Sequence, residues 1–225
     1  VRLLLVRHGQ TPGNTAGALD TAYPGFDLTP LGRLQAAAVA DVLAGEPIAG
    51  VHASRLVRTQ QTATPLAAAL ATTVEVVDGF EEVSAGDLEM RTDEQAVRTY
   101  VETIAAWMHG EVERRMPGGE SGREVLDRYL AALGDATSRY DADATVAVFS
   151  HGAVIRYVTT ALVGLDPGRA NDLRLMNTGM AVLDGRPGAA WSLERWVSEP
   201  LGGTELEDRT AEDPTGESVT EAVDD

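Results

Sequence analysis

Residues 3–6 are four consecutive apolar positions, Leu-Leu-Leu-Val, and they stop at Arg7-His8-Gly9. An apolar run of that length, closed by a polar cluster, reads as a buried strand. Residues 50–53, 74–77 and 145–149 read the same way. Between these runs the apolar positions take helical spacing. Thr29-Pro30 opens a helix expected to run to about residue 43, with Thr29 as N-cap, Pro30 in the first turn and Gly45 closing it. Residues 58–70 are expected to be helical, with a kink at Pro65. Residues 92–115 carry a patchier helical pattern that Gly110 interrupts. Ser121-Gly122-Arg123-Glu124 matches a capping box and starts a helix to about residue 140. Residues 153–163 form another helix, ended by Gly164. Residues 180–183 and 192–196 read as a hairpin around residues 184–188.

Strands that alternate with helices predict an α/β fold, three-layered α/β/α with a mostly parallel central sheet. A chain of 225 residues can bury one sizeable core. We place that domain at residues 1–201. Residues 202–225 hold nine Asp and Glu against one arginine and almost no apolar bulk. They are expected to form an acidic, disordered tail. No apolar run approaches the roughly 20 residues of a membrane span. No charged segment, apolar segment and cleavage site precede the first strand. Both points predict a cytoplasmic protein without a membrane partner.

Composition removes several chemistries. The chain has no cysteine, so thiolate nucleophiles, disulfides and thiolate zinc sites are excluded. It has no lysine, which excludes a P-loop lysine and Schiff-base chemistry. The formal charge of −17 makes nucleic acid a poor partner.

One pattern occurs twice. The first strand ends in Arg7-His8-Gly9 and the strand of residues 145–149 ends in Ser150-His151-Gly152. In open parallel sheets ligands bind beyond the carboxyl ends of the strands. Two histidines there can face one another, and each glycine allows a tight turn or a close backbone approach. Two readings compete with a shared site: separately satisfied histidines, and a zinc pair completed by a carboxylate. Arg7 beside His8 would repel a cation, and arginine suits bidentate recognition of phosphate. The cluster reads as built for an anion.

The Arg7-His8-Gly9 run, with Asn14 after it, resembles the signature of the histidine phosphatase superfamily, also called phosphoglycerate mutase-like. Further pieces follow in order: Asp27-Leu28-Thr29 with Gly32 and Gln35-Ala36; Ser54-Arg55-Leu56-Val57-Arg58 with Gln61-Thr62-Ala63; Phe80-Glu81-Glu82-Val83 with Gly86-Asp87; Pro117-Gly118-Gly119-Glu120-Ser121; and Ser150-His151-Gly152. The likeness covers roughly residues 2–197. It implies a metal-independent phosphomonoester hydrolase, needing no cofactor, that acts on a small phosphorylated metabolite. His8 would be the nucleophile that becomes phosphohistidine, and Glu82, rather than Glu81, the proton donor. Arg7, Asn14, Arg58 and His151 would bind the phosphoryl oxygens, with His151 also catalytic. Arg55 would be a rim or structural residue. His52 is expected to be a packed ring, His109 a solvated one, and Trp107, Trp191 and Trp196 core or hairpin residues. Glu120 and Ser121 are read as helix initiation.

The chain departs from the family where substrate choice should lie. Gly86-Asp87-Leu88-Glu89-Met90 replaces the frequent Gly-Asp-Trp-Glu-Gly, and residues 15–20 lack the arginine many members carry. The segment 90–116 is short for a mutase, although Arg91, Arg98, Arg114 and Arg115 could serve a second anionic group. A phosphatase is therefore the first reading. A cofactor-dependent, phosphoglycerate mutase-type phosphotransferase is the alternative, and a non-catalytic phospho-ligand binder the third.

Overall fold

The computed structural model describes residues 1–211 and 213–218. Six strands form one sheet: β1 (Arg2–Arg7), β2 (Ile48–Ala53), β3 (Val74–Val76), β4 (Thr145–Ser150), β5 (Met180–Asp184) and β6 (Ser192–Val197). Their order is β3-β2-β4-β1-β5-β6. The first four in that order are parallel. β5 and β6 are antiparallel and close one edge as the expected hairpin.

Helices cover both faces, which is why β1 and β4 read as unbroken apolar runs. Side chains alternate across a strand. Leu3, Leu5, Val146 and Val148 enter one cluster with Tyr100, Trp107, Val125, Tyr129 and Val154. Those partners come from α4 (Glu94–Met108), α5 (Gly122–Thr137) and α6 (Gly152–Val163). Leu4, Val6, Ala147 and Phe149 enter a second cluster with Val39, Leu43, Ala63 and Leu66. These come from α2 (Pro30–Leu43) and α3 (Val57–Ala69). The result is the three-layer α/β/α arrangement.

Local signals explain most boundaries. The Thr29 side chain accepts from Gly32 N at the start of α2. Ser121 and Glu124 form a reciprocal capping box on α5. Asp93 caps α4, which ends at Met108 instead of reaching residue 115. Gly110 follows at φ +98, a left-handed backbone that ends a helix. Two short helices escape the periodicity, α1 (Pro12–Thr15) and α7 (Pro167–Asn171), because a turn or so shows no repeat.

The acidic C-terminal segment departs from its expectation. Among its described residues, Asp213, Thr215 and Ser218 are buried. Gln35 Nε2 donates to Leu206 O at 2.8 Å, and Leu175 N to Gly216 O at 2.8 Å. Described residues of the segment 202–218 thus make contacts with the body of the fold. One carboxylate aimed at a buried arginine is invisible in a polar average. Residues 212 and 219–225 of the predicted tail lie outside the described residues.

Candidate active site

β1 and β4 lie side by side and in register, with Arg7 opposite Ser150. The residue after each strand is a histidine. His8 N donates to Ser150 O at 3.0 Å, and the His8 and His151 ring centroids are 5.2 Å apart at 61°. Adjacency in the sheet thus turns two distant sequence positions into one pair.

Gly9 is set by packing more than by ligand approach. A Cβ there would lie 2.6 Å from Gly32 O, in the first turn of α2. Its N–H donates to Thr62 Oγ1 at 2.9 Å, which ties the end of β1 to α3 as well.

His8 Nδ1 lies 2.8 Å from Gly9 O. A carbonyl only accepts, so Nδ1 carries the hydrogen and Nε2 of the neutral ring holds the lone pair. Burial, then the charges of Arg58 and Arg7, push the His8 pKa well below its ordinary value. His151 is lowered in the same sense by burial, then by Arg58, His8, Arg128 and Arg7. Both rings are therefore neutral at pH 7. His151 Nε2 lies 3.0 Å from Ser54 Oγ, while its buried Nδ1 has no hydrogen-bond partner among the described residues.

Arg7 is fully buried. Its Nη1 donates to Leu175 O at 2.8 Å, and its Nη2 donates to Asp213 Oδ1 and Thr215 Oγ1, each at 2.8 Å. Arg58, in the first turn of α3, donates from Nη1 to Asp20 Oδ2 at 3.2 Å and from Nη2 to Asp20 O at 2.9 Å. Asn14 sits at the third position of α1 and closes a capping box with Thr11. Its Oδ1 accepts from Thr11 N at 2.9 Å, which orients the amide so that Nδ2 donates to Asp213 Oδ1 at 3.0 Å.

The structure separates Glu82 from Glu81. The Glu82 carboxylate accepts from Val83 N and Val154 N on Oε1 (2.9 and 2.8 Å) and from Ala153 N on Oε2 (3.1 Å). Two of these donors are the free N–H groups of the first turn of α6, a natural seat for an anion. Glu81 instead accepts from Gly79 N and pairs with Arg55 at 3.2 Å. Arg128 donates to the carbonyls of Gly79, Glu81 and Glu82, each at 2.9 Å, and is itself held by Glu120 at 2.7 Å. Glu120 therefore acts through Arg128 on the loop bearing Glu82. Only Ser121 of that pair initiates the helix.

His8, Asn14, Arg58 and Glu82 line one pocket together with Thr11, Gly13, Ala18, Asp20 and Thr215. Arg7 and His151 are buried and are not part of that lining. Arg55 is half exposed and does not line this pocket; its guanidinium lies 5.6 Å from the Tyr23 ring centre. His52 is packed against Tyr140, and His109 is exposed. Arg91, Arg98 and Arg115 pair with Asp93, Glu94 and Glu124 on the surface, and Arg114 is exposed. None of the four lines the pocket. Among the described residues, no three His, Asp or Glu side chains gather as a metal ion would require.

A sequence profile described as "Histidine phosphatase superfamily (branch 1)" matches residues 3–199. The chain belongs to the histidine phosphatase superfamily. The chain is 31% identical over 204 residues to a protein named "Probable phosphoglycerate mutase GpmB" of Yersinia enterocolitica, covering 91% of this chain and 94% of that one. It is 36% identical over 217 residues to "PE-PGRS family protein PE_PGRS11" of Mycobacterium tuberculosis. There it covers 89% of itself but spans only 37% of that relative's length. Among solved structures, the mycobacterial glucosyl-3-phosphoglycerate phosphatase Rv2419c in complex with VO3 superposes with a TM-score of 0.74. That match has 28% identity and covers 87% of this chain and 98% of the other.

Four residues of the candidate site are not singled out by the sequence: Asp20, Ser54, Asp213 and Thr215. Ser54 was visible as a motif position without a role. Asp20 stood in the stretch noted for its missing arginine, and nothing local pointed it at Arg58. Asp213 and Thr215 were hidden by the composition around them.

Proposed function

We propose that the chain is a metal-independent phosphomonoester hydrolase acting on a small phosphorylated metabolite through a phosphohistidine. The observation that carries this is the facing pair His8 and His151 at the ends of adjacent strands, with Arg58 and Glu82 in the same pocket wall.

The His8 Nε2 lone pair attacks phosphorus. An N–P bond forms and the P–O bond to the leaving group breaks. Glu82 Oε2, which carries only one of the three carboxylate hydrogen bonds, is the oxygen suited to hold the transferred proton. It gives that proton to the departing alkoxide. Water then attacks phosphorus, Glu82 takes its proton, the N–P bond breaks, and inorganic phosphate leaves with neutral His8 restored. Arg7, Arg58 and Asn14 supply fixed donors to the phosphoryl oxygens, and His151 supplies a neutral one. Such preorganised donors are the main contribution in phosphoryl transfer. Bound phosphate adds negative charge that offsets the two arginines acting on His8.

Hydrolysis is favoured over a mutase reaction because the four arginines suited to a second anionic group are on the surface, while the pocket carries Asp20. The absence of cysteine supports a cytoplasmic setting for this reading. The test is release of phosphate from a panel of phosphomonoesters. Turnover insensitive to chelator, independent of a bisphosphoglycerate primer and lost in His8→Ala supports the proposal. Strict dependence on that primer supports the mutase.

A further inference from the structure

The described C-terminal residues reach the very groups assigned to phosphate. Asp213 Oδ1 accepts from Arg7 Nη2 at 2.8 Å and Asn14 Nδ2 at 3.0 Å, and its Oδ2 lies 2.7 Å from Arg7 Nη1. Nη2–Oδ1 is a hydrogen bond, whereas Oδ2, although within ion-pair distance of Nη1, makes no hydrogen bond among the described residues; a guanidinium can hold a carboxylate or a phosphate oxygen through the same N–H donor. Thr215 completes the contact, with its hydroxyl on Arg7 and its side chain in the pocket wall beside His8.

The segment holding Asp213 is a small closed turn. Gly216 N and Glu217 N both donate to Asp213 O, at 2.9 and 3.1 Å. Bonds that attach it to the body include Leu175 N to Gly216 O at 2.8 Å and Arg156 Nη2 to Thr215 O at 3.0 Å. The fit to Arg7 is incomplete, since among the described residues the buried Arg7 Nε has no hydrogen-bond partner. A planar carboxylate offers two oxygens where a phosphoryl group offers three.

Resting on the reading of Arg7 and Asn14 as phosphate-binding groups, we infer that residues 213–218 are an autoinhibitory strap. The Asp213 carboxylate stands in for substrate phosphate and must leave Arg7 and Asn14 before the phosphomonoester can bind. The device holds the site closed through a like-for-like exchange: one anion departs as another arrives, so the buried guanidinium is never left unpaired, which would be costly. A competitor of this kind weakens the apparent affinity by the fraction of molecules in which the site is free.

The test uses the full chain, with inorganic phosphate as the probe. Phosphate affinity is measured by calorimetry for wild type, Asp213→Ala and the isosteric Asp213→Asn, and amide exchange of residues 213–218 is followed with and without phosphate. A strap closed in about nine molecules of ten predicts about tenfold tighter phosphate binding in both variants. It also predicts a KM lowered by the same factor and, in wild type, faster exchange of residues 213–218 when phosphate is added. Unchanged or weaker phosphate binding in Asp213→Asn, with a wild-type melting profile, would overturn the strap and make Asp213 a permanent brace for Arg7. Exchange slowed by phosphate would overturn it too. Failure of the functional reading shows separately: wild-type turnover that survives His8→Ala removes the phosphohistidine and the strap together, whereas turnover lost in His8→Ala with unimproved binding in Asp213→Asn removes the strap alone.

Discussion

His8 and His151 face each other with ring centroids 5.2 Å apart because their strands are neighbours paired in register. The two rings have unequal parts. His8 has Nδ1 fixed on Gly9 O and Nε2 left as a lone pair. His151 has Nε2 on Ser54 and a buried Nδ1 without a partner among the described residues. We therefore expect His151→Ala to lower kcat by on the order of 10²–10³, as loss of one fixed donor does, while leaving residual turnover. His8→Ala should leave none. Steady-state kinetics on one substrate, with melting curves to confirm folding, separate the two; equal residual rates would contradict the assignment.

Glu82 should matter in proportion to how badly the leaving group needs a proton. We expect Glu82→Gln to lower kcat by about 10²–10⁴ for an alkyl phosphate. The loss should be far smaller for a nitrophenyl phosphate, whose phenolate leaves unaided. A leaving-group series measured on both proteins checks this. An equal loss across the series would make Glu82 a structural anchor on α6 instead of an acid.

Asp20 places a carboxylate in the pocket wall, 3.2 Å from the guanidinium of Arg58. Like charges brought close in a low-dielectric site repel. Substrates with a second anionic group near the phosphate should therefore be disfavoured. Asp20→Asn is expected to lower KM for a phosphorylated carboxylic acid by about tenfold more than for a neutral sugar phosphate, a difference of about 1.4 kcal/mol. Paired KM measurements on the two substrates decide it, and an identical change in both would contradict a role in selection.

Much of this was legible beforehand, and the reason differs from residue to residue. Leu3–Val6 and Val146–Phe149 read as buried strands because both faces are covered, which leaves continuous apolar runs. Thr29 and Ser121 announced helix starts through local hydrogen bonds that need no tertiary knowledge. The motif register placed Arg58, rather than Arg55, in the pocket. Asp20 and Asp213 could not be read this way, since each acquires meaning only from an arginine 38 or 206 residues away. Glu120 was misjudged for the same reason: its partner Arg128 lies two turns into a helix whose first turn looked like the whole explanation.

The buried histidines make stability depend on pH. Burial, then the charge of Arg139, holds His52 down at about 4, and His8 and His151 are lowered also. A group with a lowered folded pKa binds fewer protons folded than unfolded. Its stability contribution is present above the unfolded value near 6.5 and is lost as pH falls from there through the folded value. Denaturant midpoints should fall steadily from pH 6.5 to pH 4, with part of that loss due to His52. His52→Leu should flatten the slope over that range. A slope unchanged by the substitution would contradict the assignment.

The central claim is that His8 carries the phosphoryl group. The most direct measurement is rapid acid-free quenching of the enzyme with a labelled phosphomonoester, followed by peptide mapping of the bound label. The account predicts label that is stable to alkali, labile to acid and located on the peptide containing His8, with none in His8→Ala. Label on any other residue, or label that survives His8→Ala, would contradict it.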